Sequence, residues 1–407
     1  MSELRVAFLG MGQTYPSHVW MRRMRDMLAE SIVVNIDDGR NQPKRRSVVA
    51  SDDRLPHGTK IVPRKVPRVS RWMESSGITQ FLGNRSRTNE QHREEWMLGV
   101  IEQSKANVVF VHFVDYAIQF ERVWRRLDIP ILVHAHGYDI VWDVCNERTG
   151  ERLHPSDYLA RVSQLPSNVH FIANSNFTRD QLLAAQINPN RIRIKRFGVP
   201  VSHDPPLIDL ESCSLLFLGR LVDFKGPVET TEAFSKIVKG HPEWQLDIAG
   251  DGVLRQAVDA KCSSLGLTEN VNMHGAVDLK KGDELRRAAA VFTAHNQIGP
   301  RTRQREAFGV ALIEAMAEGV PVVTGRCGGL VDFIESGVNG FLFEPGDIQH
   351  HAELIERLIL DKDLRRRMSL AAWETIRENH QLDHERVDLL GFLQDLVNDV
   401  KETRVAA

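Results

Sequence analysis

Cysteine is scarce in this chain. There are four in 407 residues (Cys145, Cys213, Cys262 and Cys327), scattered and without a C-x-x-C pair. That excludes a disulfide-stapled scaffold and a cysteine-ligated zinc module. Long apolar runs are missing as well, and none approaches the roughly 20 residues that span a bilayer. Charge of one sign is also lacking: 52 Lys and Arg against 54 Asp and Glu leave a net charge of -2. Such a balance gives no reason to expect a nucleic-acid partner, because nucleic-acid-binding domains are as a rule basic. The opening stretch MSELRVAFLG carries an acid at Glu3 and runs straight into a strand pattern, unlike a signal peptide. Together these absences set the expected location in the cytoplasm.

What is present is alternation. A chain of 407 residues, 42% hydrophobic, exceeds one ordinary core, so two domains of about 200 residues are expected. Short apolar runs at 5–10, 31–36, 107–113, 130–136, 169–174 and 192–197 read as strands. A second series follows at 214–220, 244–250, 270–275, 290–295, 320–325 and 339–344. Helical patterns such as TRDQLLAAQ separate most of them, which implies parallel sheets covered by helices on both faces. The stretch GVPVSHDPPLIDLES (198–212) has three prolines and no period, and reads as the hinge between two blocks. The expected fold class is therefore α/β: two doubly wound domains, residues 1–200 and 201–380, facing each other across a cleft. The helical segment 381–407 is expected to pack back on the first.

In FLGMGQTYPS (8–17), a strand meets Gly10 and Gly12, the start of a dinucleotide fingerprint. The third glycine is replaced by Tyr15, and the acid about 20 residues on would be Asp37 or Asp38. A broken fingerprint is a weak signal, and it leaves an NAD-linked reading open at this point.

The second block carries more chemistry. In REAFGVALIEAMAEGVPVVTG (305–325), Glu306 lies in a loop and a helix runs from near Gly309 to about Glu318. The first amides of that helix, at Phe308, Gly309 and Val310, lack internal partners and suit an anionic group. Glu314 lies roughly 7–8 Å along the axis, so the two acids suit separate hydroxyl-bearing parts of one elongated ligand. In FLGRLVDFKGP (217–227), Arg220 leaves a strand end and Lys225 follows in a Gly-bounded loop. A planar fork and a point charge there fit a diphosphate. Each piece alone has a bland reading as well: an amphipathic helix with a surface acid, and a turn with solvated charges. His134 and His136 in VHAHGYD (133–139) share one face of a strand end and suit a metal, but no third ligand stands at a sensible spacing.

Together these segments resemble glycosyltransferase family 4, the retaining enzymes of GT-B fold. The likeness rests on E-x7-E at Glu306 and Glu314, G-R-x4-K-G, IAGDG (248–252), and GGLVDFIESGVNGFLFEPGD (328–347). It implies that Arg220 and Lys225 clamp the diphosphate, Glu314 holds the ribose hydroxyls and Glu306 lies by the transferred sugar. It adds Gly12 and Gly252 to the donor side. Through H-G-x-D, it places His136 against the reacting sugar, with Asp139 in the same element. FLGMGQTYPS becomes a cleft loop, with Tyr15 on the acceptor side, and ANSNFTRDQLL (173–183) offers Ser175 and Arg179 to the acceptor. Capping by Asn176 or Thr178 explains that last turn nearly as well.

The resemblance implies a hexosyltransferase using a UDP-, GDP- or ADP-sugar and a glycan, lipid-linked or other hydroxyl acceptor, in polysaccharide or glycoconjugate synthesis. No cofactor or metal is expected. The one D-x-D, Asp361-Lys362-Asp363, reads as a helix N-cap. Alternatives are a GT-B phosphorylase or synthase on a soluble glucan or disaccharide, and a non-catalytic pseudo-glycosyltransferase subunit. Two stretches depart from the family pattern. Residues 295–309 are basic near the donor sugar. Residues 40–71 carry ten Lys or Arg against Asp52 and Asp53, with four prolines and no helical period. An anionic membrane surface or acidic glycan is the partner such a segment suits, and a solvated loop is the plain alternative.

Overall fold

The computed structural model describes residues 3–10, 19–37, 59–61 and 81–406. Gly12, Tyr15 and all of 40–71 except 59–61 lie outside them. The strands form where the apolar runs are densest. VAFLG (β1, Val6–Gly10) and VVFVH (β4, Val108–His112) are buried at every position. Continuous burial without alternation is what a parallel sheet covered on both faces demands.

The first sheet holds seven strands in the order β3-β2-β1-β4-β5-β6-β7. Its remaining members are β2 (Ile32–Asp37), β3 (Lys60–Ile61), β5 (Ile131–His134), β6 (Val169–Ala173) and β7 (Ile192–Ile194). The second sheet holds six in the order β10-β9-β8-β11-β12-β13. They are β8 (Ser214–Leu218), β9 (Gln245–Ala249), β10 (Val271–Gly275), β11 (Val291–Ala294), β12 (Val322–Gly325) and β13 (Gly340–Phe343). Neighbouring strands are parallel in both.

β3 is the element that the sequence reading lacked: two residues inside a proline-rich basic stretch carry no periodic signal. β7 ends at Ile194 rather than running on to Phe197. The next residue, Lys195, is fully buried and ion-paired with Glu385 of the helix Leu382–Ala406. Glu385 also accepts from the Gly198 amide at 2.8 Å, and Val199 bridges Gln381. Residues 195–199 and the last helix therefore hold each other beside the first sheet. Asp361 caps the helix Lys362–Asn379, accepting from the Leu364 amide at 2.8 Å. Among the described residues no helix is long and apolar enough to cross a membrane.

Candidate active site

Both sheets reverse their winding beside the first strand. β1 sits between β2 and β4, and β8 between β9 and β11. Ligands of such sheets bind beyond the carboxyl ends at that point, and the chemistry-bearing residues gather there.

On the second sheet, the loop after β8 is locked before it delivers its charges. Asp223 accepts from the amides of Arg301 and Thr302 at 2.8 Å each, and from the Thr302 hydroxyl at 2.7 Å. Gly226 caps the turn at φ +62°, where a Cβ would lie 2.2 Å from the His295 carbonyl oxygen. Lys225, between these anchors, donates to Glu306 of the same half. Both side chains are largely shielded, at 17% and 12% exposure.

Gly309, at φ +100°, turns the chain into the helix Val310–Ala317. The amides of Leu312 and Ile313 close on its carbonyl at 3.0 and 3.2 Å. The amides of Gly309, Val310 and Ala311 take no backbone acceptor among the described residues, the arrangement that favours an anion. One turn further, Glu314 bonds to Arg23 of the first half at 3.2 Å and pairs with Arg286 at 3.3 Å.

These groups border a cavity of about 310 Å³, lined by Lys225, Glu306, residues 308–311 and Glu314, with Trp20, His136 and Asn174 from the first half. Arg220 and Gly252 stand apart from it. The Arg220 guanidinium lies over the Phe224 ring and pairs with Glu147 of the first half. Gly252 borders a separate hollow of about 540 Å³ with Glu147, Arg148 and Arg301. A Cβ on Gly252 would meet the Leu221 carbonyl oxygen at 2.4 Å, so loop packing accounts for that glycine.

On the first sheet, parallel register sets His112 of β4 beside His134 of β5. His136, two residues on, returns to the same face, and His112 Nδ1 lies 3.0 Å from its Nε2. The missing third member of a histidine cluster thus comes from a neighbouring strand, where linear spacing does not show it. Trp20 packs on His136 with ring centroids 4.1 Å apart.

The loop behind is fixed by Asp139, whose carboxylate accepts from the amides of Val114, His136 and Gly137 at 2.9, 2.9 and 2.8 Å. Burial, reinforced by Asp115 and opposed by the three amides, pushes its pKa up to about 7. Fully buried, Asp139 shapes the His136 loop and does not present its side chain to an acceptor. Ser175 is also fully buried and is itself the N-cap of the helix Asn176–Ala184, accepting from the Thr178 amide at 3.1 Å. Capping explains that serine, though the cap is neither Asn176 nor Thr178. Arg179 is exposed and pairs with Asp180 at 2.8 Å.

Trp20, Asn174, Arg23, Arg286 and Glu147 were not marked by the sequence reading. Asn174 ends a strand and was legible in kind; the others reach the site by tertiary approach alone.

Residues 201–375 match the family model described as glycosyl transferases group 1. The second half is thus similar to that family's domain. Over a wider span, the chain is 25% identical across 318 residues to N-acetyl-alpha-D-glucosaminyl L-malate synthase of Bacillus anthracis, covering 76% of this chain and 80% of that protein. Other curated relatives match over shorter stretches, and the chain spans about half of their length or less. Among solved structures, sucrose-phosphate synthase from Thermosynechococcus elongatus superposes with a TM-score of 0.73 at 17% identity, covering 97% of this chain and 100% of that one. HepE of Anabaena, solved in complex with UDP, gives 0.69 at 14%, covering 96% and 100%. The fold is GT-B. The doubly wound expectation holds; of FLGMGQTYPS, residues 8–10 end β1 and the rest lies outside the described residues.

Proposed function

We propose that this chain is a retaining, metal-independent glycosyltransferase of family 4 that moves a sugar from a nucleotide-sugar to a hydroxyl acceptor. The observation that carries the reading is the cavity in which Lys225, Glu306 and the unpaired helix amides of 309–311 converge. When the bond to the departing diphosphate breaks, negative charge grows on that group. A fixed ammonium and three aligned amides stabilise it as it forms. A site so equipped needs no divalent cation for this task. Arg220 joins the clamp once its guanidinium turns from Glu147 towards the phosphates. Glu314, one helical turn deeper, takes the ribose hydroxyls, and Glu306 and His136 border the sugar.

The donor is a UDP-, GDP- or ADP-sugar. The UDP complex of HepE supports a nucleotide diphosphate at this position. The acceptor is a glycan or lipid-linked hydroxyl in polysaccharide or glycoconjugate synthesis, and the work is done in the cytoplasm. The ten basic residues of 40–71 would hold the enzyme at an anionic leaflet, each contributing about 1 kcal/mol near the surface. Domain limits of 1–200 and 201–380, with 381–407 returning to the first, are part of this reading.

The test is release of nucleotide from a panel of UDP-, GDP- and ADP-sugars in EDTA, with the product's anomeric configuration followed by NMR. Turnover with retention supports the reading. Turnover that requires added Mn²⁺ or Mg²⁺, or an inverted product, removes it.

A further inference from the structure

Two pairs of buried histidines in this molecule are treated differently. In the second half, the Gly346 amide donates to His295 Nε2 at 2.9 Å, so His295 carries its proton on Nδ1. That nitrogen faces His351 Nδ1 at 3.1 Å, and His351 Nε2 in turn meets the Thr293 hydroxyl at 2.7 Å. Every ring nitrogen of this pair has a partner. In the first half, His134 is completely buried and neither of its ring nitrogens has one. A buried polar atom left without a partner is costly to the fold. His134 is not alone: its ring centroid is 4.1 Å from that of His136, and one ligand nitrogen from each of His112, His134 and His136 lies within 4.8 Å of the other two.

We propose that His112, His134 and His136 form a binding site for a zinc-type transition-metal ion, and that occupation of this site inhibits the enzyme. Three neutral imidazoles are the donor set that suits Zn²⁺, Cu²⁺ and Ni²⁺ rather than Mg²⁺ or Ca²⁺. The surroundings are rings: Trp20 and Phe113 pack on His136, Phe110 on His112, and Phe197 on His134. An apolar shell of this kind keeps water from competing. The cation of Lys195, also on this side, is already neutralised by Glu385.

Drawing the three nitrogens together to the roughly 3.3 Å spacing of a tetrahedral site is a matter of side-chain rotation, since the strands are already in register. The proton shared between His112 Nδ1 and His136 Nε2 moves to the far nitrogen of its own ring, so neither imidazole changes charge. The fourth position opens on the cavity that His136 lines. The consequence follows from position: a metal on His136 Nε2, in place of the contact to His112, puts a dication beside the cavity that His136 lines and fixes that ring, so the ion opposes turnover instead of supporting it.

The binding half of this inference does not rest on the proposed reaction, whereas the inhibitory half does. The purified full-length chain, stripped with EDTA and desalted, is titrated with CoCl₂ and then with ZnCl₂ in competition. One equivalent should bind, with the visible absorption of four-coordinate cobalt, and zinc should displace it. His134→Leu, which keeps the site's apolar packing, should weaken binding more than about tenfold. The same variant should leave nucleotide release in EDTA unchanged while losing its inhibition by Zn²⁺. Should His134→Leu not fold, X-ray absorption at the zinc edge of the wild-type chain decides, with three imidazole nitrogens expected around the ion. No saturable binding, equal binding by a folded His134→Leu, or an edge spectrum without histidine ligation overturns the proposal. A chain that binds cobalt as described but turns over no nucleotide-sugar leaves the site standing and counts against the glycosyltransfer reading.

Discussion

The two switch points face one cavity but are built from opposite materials. The second sheet presents charge: Lys225, Glu306 and Glu314, each already paired with an opposite charge. The first presents rings, Trp20, His136 and Phe197, with His112, His134 and Phe113 packed behind them. Charge on a locked loop suits a leaving diphosphate, whose charge changes during reaction. Rings suit a sugar face, which changes little in charge and must be positioned and kept dry. In the proposed reaction, one half would act on the transition state and the other on orientation.

The largest break in that contrast should come from Lys225→Ala. Losing one fixed cation at a developing charge costs about 10²–10³ in kcat. Removing a ring-side support should cost less and by a different route. Asp139→Asn puts an NH₂ group against the Val114 amide, or against those of His136 and Gly137 if it flips. It should destabilise the fold by about 1–3 kcal/mol. By displacing His136 it should also lower turnover by up to about 10²-fold. The two variants separate in a thermal melt, because Lys225→Ala should melt near the wild type and Asp139→Asn well below it.

Glu314→Ala sharpens the comparison inside the charged half. A ribose contact alters little as the bond breaks, so KM for the donor should rise about tenfold with kcat nearly kept. A fall in kcat alone would move Glu314 to the reacting centre.

The pH dependence of stability tests the buried histidines of the second half. Burial holds the pKa of His295 and His380 down to about 4, and that of His351 well below the usual 6.5. In the unfolded chain they titrate near 6.5. A depressed folded value means that their contribution is fully present above pH 6.5 and is lost as pH falls towards 4. Asp139, held up to about 7, works in the opposite sense and offsets part of that loss, so the melting temperature should fall by a few degrees between pH 6.5 and 4.5, and further in Asp139→Asn. A melt flat across that window would mean that these imidazoles are solvated.

The smallest effect belongs to Glu147→Ala. Its partner Arg220 is half exposed, at 50% of the side chain, and such pairs contribute about 0–1 kcal/mol. Donor KM should fall by less than about fivefold, because Arg220 is released to the phosphates. A rise in KM would place Glu147 on the substrate.

The same contrast governs what the sequence could tell. The charged half was legible because its residues are local: Lys225 follows β8 by a short loop, and Glu306 and Glu314 flank the start of one helix. Helix periodicity and strand-end position suffice to place them together. The ring half depends on register between β4 and β5 and on the approach of the helix Val19–Met27, neither of which linear spacing encodes. His112 was not joined to His134 and His136, and Trp20 was not singled out, for that reason. Asp139 and Ser175 were expected on the acceptor side, whereas their side chains accept from backbone amides; a polar residue at a strand end reads the same whether it faces solvent or caps a backbone. β3 escaped because a two-residue strand has no period.

The central claim is that the cavity holds a nucleotide-sugar through fixed cations and amides, without a metal. The most direct measurement is nucleotide release from the UDP-, GDP- and ADP-sugar panel in EDTA, with wild type and Lys225→Ala side by side. The account predicts release from at least one donor by the wild type, unchanged by EDTA and reduced about 10²-fold or more in the variant. Equal release by both proteins, or release by the wild type only when a divalent cation is restored, would contradict it.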